Sequence, residues 1–160
     1  MEFNFNKHDV RVDHLNLREE KHGETSKQAV DVKIKASVPN DFLSYLHPTL
    51  KWSLYDKDDK PDLVPDENHL PRLRYASMEP IKWRGEMIKA AVTFHGAKAK
   101  DDKEVVCTVG KLALDPLDGG TVQVTFVCQF YPDPADVGFL AGVLGRDIKF
   151  SVEPGKHDAD

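Results

Sequence analysis

The chain has 160 residues and a formal net charge of −5, with 40% hydrophobic and 31% charged residues. This is the composition of a single soluble globular domain, able to bury roughly 70% of the surface its unfolded chain exposes. It argues against a protein that coats nucleic acid, which needs clustered cations, and no apolar run approaches the ~20 residues of a membrane span.

The opening stretch, MEFNFNKHDVRV, has neither an apolar h-region nor a small-residue cleavage site, so no secretory signal is expected and the cytoplasm is the expected compartment. Val10 and Val12, then Leu15 and Leu17, alternate along a first strand and change phase between the pairs, as a β-bulge does. KHGETS at 21–26 turns the chain into a second strand. There Val30, Val32, Ile34, Ala36 and Val38 alternate with Asp31, Lys33, Lys35 and Ser37, the period-two mark of an antiparallel strand with one dry and one wet face. Residues 39–55 carry Phe42, Leu43, Leu46 and Leu50 at helical spacing, with Asn40 or Asp41 as N-cap and Pro48 kinking or splitting the helix. DKDDKPDLVPDENHLP at 56–71 is a charged loop.

Further on, Leu73 with Tyr75 and Ile81 with Trp83 alternate with Arg72, Arg74, Lys82 and Arg84, placing the aromatics on the apolar side. Ile88, Ala90, Val92 and Phe94 make another row. Between 105 and 114 the pattern moves from Val105, Cys107 and Val109 to Leu112 and Leu114 across Gly110, a second bulge signature. DPLDGG at 115–120 joins this strand to the alternating Val122, Val124, Phe126, Cys128 and Phe130, as a hairpin with a loop longer than two residues. With that turn as centre, Cys107 and Cys128 fall roughly opposite each other; two buried thiols are expected, with a cross-strand disulfide as the alternative. Residues 133–145 form a second helix. Asp133 caps it, Pro134 opens it, Val137, Leu140, Ala141 and Leu144 stripe it, and Gly145 closes it. Gly138 and Gly142 inside it cost ~1 kcal/mol each against Ala and imply close approach to the sheet. Ile148, Phe150 and Val152 mark a last strand. The expected fold is β-rich α+β: an antiparallel sandwich or strongly curved sheet of about seven strands with two helices, in one domain over 1–153 with a flexible tail over 154–160.

Chemistry-bearing patterns fail one by one. The loop at 56–67 offers Asp56, Asp58 and Glu67 at the first, third and twelfth positions of an EF-hand, but Lys60 and Pro61 sit where a ligand and a glycine belong. Seven histidines include no pair four apart; His14 and His22 meet only if the first strand folds back. No nucleophile elbow or phosphate-binding glycine loop is present, so no catalytic set, metal or cofactor is expected, and an enzyme with a site scattered along the chain is the third reading.

The succession HLNLREEKHGE, AVDVKIKASVPN and VVCTVGKLALDPLDGGTVQVTF, within a span of about 14–152, resembles small proteins encoded by tailed bacteriophages and prophages. The resemblance implies a phage setting and carries over no activity and no site residue. The expectation is a non-catalytic binding protein. It would act by protein contact on a host factor, as an inhibitor of anti-defence type, or as an accessory of a phage complex, and a homodimer through a strand edge is compatible with it. Contact residues are expected in the charged hairpin (Arg18, Glu19, Glu20, Lys21, Glu24) and the acidic loop (Asp56, Asp58, Asp59). The alternative is a single-stranded nucleic-acid accessory of phage replication or recombination, using Arg72, Arg74, Lys82 and Arg84 as phosphate contacts.

Overall fold

The structure, a computed structural model, describes residues 1–60 and 63–155. Its strands are β1 (Phe5–His22), β2 (Thr25–Pro39), β3 (Tyr55–Asp56), β4 (Arg72–Leu73), β5 (Ile81–Trp83), β6 (Met87–Phe94), β7 (Lys103–Pro116), β8 (Thr121–Phe130) and β9 (Asp147–Glu153). The helices are α1 (Leu50–Leu54) and α2 (Pro134–Val143). β3 and β4 form a separate two-stranded ribbon; the other seven strands share one sheet.

That sheet closes on itself. β7 pairs with β6, β6 with β9, β9 with β1, β1 with β2 and β2 with β8, all antiparallel, and β8 pairs back onto β7. Six strands therefore make a barrel, and β5 extends its wall along β7 at Leu112–Leu114. Closure leaves few free edges and encloses one continuous core. The alternation read in β2 and β8 is what fills it: Val32, Ile34, Val124 and Phe126 are fully buried, and each such Val or Ile contributes ~1.5–3 kcal/mol. Seven phenylalanines, Phe3, Phe5, Phe42, Phe94, Phe126, Phe130 and Phe150, complete the interior.

Bulges bend the strands around the barrel. The first strand shifts register between Val12 and His14, and β7 shifts between Gly110 and Ala113, where Lys111 adopts φ 53°. A third bulge, at Lys89 (φ 57°), corrects the row read for β6: Met87, Ala90, Val92 and Phe94 point inward, while Ile88 is left exposed. The β7 bulge also displaces the cysteines from direct opposition. Cys128 faces Val109, and both thiols are free and buried. Burial, with Cys107 beside it, pushes the Cys128 thiol well up.

The segment at 39–55 is not one helix. A 3-10 turn at Asn40–Tyr45 and the short α1 flank Pro48, and no side chain caps either. Asn40 instead turns inward and donates 2.8 Å to the Leu70 carbonyl. α2 begins as expected, with Asp133 and Asp136 in a reciprocal capping box. Its glycines do not touch the sheet: nothing lies within 4 Å of where a Cβ on Gly138 or Gly142 would sit, and Leu140 alone is buried. Tyr75 is likewise exposed, because the strand read there is only the two-residue β4. At the far end Gly155 packs against the Ile88 and Lys89 carbonyls; residues 156–160 of the expected tail lie outside the described residues.

Candidate binding surfaces

β1 and β2 outrun the barrel. β2 pairs with β8 only from Val30 onward, whereas β1 and β2 stay paired out to His22 and Thr25. Residues 18–28 thus project as a two-stranded arm, turned by Gly23 at φ 67° in a two-residue loop. This is the charged hairpin read from the sequence, and the structure sorts its residues. Arg18 bonds Asp31 through Nε (3.0 Å) and Nη2 (3.1 Å) and pairs with Glu20 through Nη1. The Tyr131 hydroxyl donates 2.8 Å to Glu20, and Lys27 Nζ lies 4.2 Å above the Tyr131 ring. The Arg18 bond, reinforced by Tyr131, holds the Glu20 carboxyl below its ordinary range. Burial pushes Asp31 up, but the Arg18 and Asn16 hydrogen bonds outweigh it and the net shift is downward. Arg18 and Glu20 therefore brace the arm, while Glu19, Lys21 and Glu24 face solvent.

The acidic loop divides similarly. Asp56 accepts from Arg72 Nη2 (2.8 Å) and lies 3.3 Å from Arg74 Nη1. The Lys57 N–H and Arg72 together depress its pKa. Asp58 and Asp59 stay accessible, and Leu63 and Val64 stand exposed just beyond them. Pro61 lies outside the described residues. The loop does not join the arm: Tyr55 donates to the Leu117 and Thr121 carbonyls at the start of β8, and the arm leaves from its far end, roughly 30 Å away.

The cations read as a phosphate-binding set are not brought together as free charges. Arg72 pairs with Asp56 and Asp59, and Arg74 pairs with Asp56 and also donates to the Trp52 and Tyr55 carbonyls at 3.1 Å. Lys82 and Arg84 are exposed on and just after β5. His14 and His22 stay on one continuous strand, opposite Lys33 and Thr25. Among the described residues no group of three or more His, Cys, Asp or Glu could hold a metal, and no helix is long and apolar enough to cross a membrane.

Two features escaped the sequence reading. The first is a relay on the barrel wall: Ser151 Oγ lies 2.8 Å from His95 Nε2, and His95 Nδ1 lies 3.1 Å from Asp102. The Gly96 N–H, with His95 next, depresses the Asp102 pKa. This order of groups is that of a serine hydrolase, but such chemistry also needs donors for an oxyanion and a cleft for substrate. Ser151 Oγ instead accepts the Lys7 N–H at 2.9 Å and sits mid-strand in β9, so the relay ties the 94–103 connection to β1 and β9. The second is a seam. Below Arg11 and Lys35, β1 leaves β2, and His8 Nε2 bridges the gap, donating 3.0 Å to the Ser37 carbonyl. Two clefts of about 540 and 400 Å³ open there and share His8. No family model, curated protein or solved structure matches the chain.

Proposed function

We propose that the chain is a non-catalytic binding protein that seizes a protein partner with its β1–β2 arm, and that the partner is a host factor or a phage complex, as the sequence resemblance suggests. The observation that carries this reading is the arm itself. The ribbon runs on past the last barrel pairing with Glu19 and residues 21–28 exposed, and Tyr131, Arg18 and Asp31 tie it to the barrel end. Preorganisation of this kind reduces the ordering cost of binding. The free edges of the arm also offer backbone groups to an added strand, and its charges set register and restrain self-association.

Simultaneous replacement of Glu19, Lys21 and Glu24 by alanine tests it. These side chains are solvent-facing. Capture of a partner from host lysate should fall while the melting temperature stays within a few degrees. Undiminished capture by the triple variant removes the arm from the account.

A further inference from the structure

A second surface, separate from the arm, faces the other way along β2. We propose that the seam between β1 and β2, with the cationic wall beside it, binds single-stranded nucleic acid: an unstacked base enters the apolar cleft and phosphates lie along Lys35, Arg11 and Lys33.

Charge is the first argument. Cross-strand registers between charged residues in this barrel bring opposite signs together: Glu20 faces Lys27, Asp9 faces Lys149, and Arg11 faces Asp147 on its β9 side. On its β2 side, however, Arg11 faces Lys35, and Lys33 lies on the same face two residues along β2. Like charges set opposite each other are destabilising, so this patch costs stability unless an anion is near. Lys111, on the β7 bulge two strands away, adds a positive field that Asp31 senses. Of the carboxylates around the seam, Asp9 is held by Lys149 at 2.7 Å and Asp41 by Lys51 at 2.6 Å. Asp147 remains beside Arg11, and the exposed Asp13 precedes His14 in the bulge, so Lys33 and Lys35 are the cations this wall offers.

Shape is the second. The smaller cleft is lined by Arg11, Lys35, Ser37 and His8 with Asp9 and Asp147. The larger is lined by Phe5, Val38, Phe42 and Tyr45 with His8 and Asp41. Tyr45 is half exposed and meets Phe42 edge-on at 5.6 Å; His8 stacks flat on Phe5 at 4.8 Å. Cations leading into an aromatic-lined recess are the two parts of a single-strand site: the recess takes a π-face and the cations take the backbone. From Lys33 to Pro39 the track runs about 20 Å, long enough for a few nucleotides. A duplex keeps its bases paired and stacked and cannot fill the recess.

The test is fluorescence anisotropy of a labelled oligo-deoxythymidylate of about 15 nucleotides with the full chain, at roughly 50 and 200 mM salt. Binding should be present at the lower salt and weaken steeply at the higher. The double variant Lys33→Glu/Lys35→Glu should lose tenfold or more and flatten the salt slope by about 0.7 per lost phosphate contact. Tyr45→Ala should lose roughly fivefold or more, and Tyr45→Phe should keep the affinity. Lys82→Glu/Arg84→Glu and the arm triple variant should leave it unchanged. Four results overturn the proposal: no binding at low salt, a matched duplex bound as tightly, poly-glutamate displacing the oligonucleotide with Tyr45→Ala harmless, or loss only in the Lys82/Arg84 variant.

Discussion

The Tyr131 hydroxyl donates 2.8 Å to Glu20 Oε2, tying the last residues of the barrel to a strand 111 residues earlier, out on the arm. Tyr131→Phe keeps the ring under Lys27 and removes only this hydrogen bond, so amides at 18–28 should exchange modestly faster. Tyr131→Ala removes the ring as well and should accelerate exchange several-fold there, with barrel amides unchanged. Equal protection in both variants would show that the arm is rigid without its brace.

The arm should also respond to acid with a definite sign. Glu20 and Asp31 both have folded pKa values below the ordinary carboxylate range of about 3.9–4.3. Depressed carboxylates stabilise the fold above their unfolded pKa, and that contribution fades as pH falls through the folded value. Arm chemical shifts should therefore hold steady from neutral pH to about 5 and move only below about 4. A transition near neutral pH would take control away from these two carboxylates.

Ile34→Asp buries a charge in the closed barrel, beside Val12 on β1 and Phe126 on β8, and should abolish soluble folding. Lys33→Ala, one residue away on the wet face, should leave the melting temperature nearly unchanged. Phe126→Ala, which empties a space between Phe3, Phe5 and Phe150, should cost about 3–5 kcal/mol and lower the melting point by roughly 6–20 °C. Thermal scans of the three variants check this; a folded Ile34→Asp would contradict a dry interior.

Ser151 should not form a covalent adduct with a fluorophosphonate probe, because its Oγ is engaged by the Lys7 N–H and by His95. Mass spectrometry of the treated protein decides. Stoichiometric labelling, lost in His95→Ala, would make the relay catalytic and overturn a purely binding role.

What the sequence disclosed and what it concealed divide along a physical line. Period-two burial is local, so β2 and β8 were legible residue by residue, as were the bulges near Val12 and Gly110 and the Asp133 cap. Closure of the barrel was not legible, since β7 meets β8 on one side and β6 on the other only in three dimensions. The bulge at Lys89 has no glycine to announce it, so Ile88 was read as buried. The pairing of Asp56 with Arg72 and Arg74 spans 16 and 18 residues, which made two paired arginines look like free phosphate contacts. The Ser151–His95–Asp102 relay spans 56 residues between its first two members and carries no motif. For the arm, the turn and charges were visible; that β8 stops short of it was not.

Site-specific photo-crosslinking tests the central claim most directly. A photoreactive amino acid at position 21 samples the arm, and the same group at position 59 samples the opposite end of β8. In the presence of host lysate, position 21 should give one discrete higher-mass product that is absent at position 59. A product at 59 alone, or none at 21, would place the working surface of this barrel elsewhere.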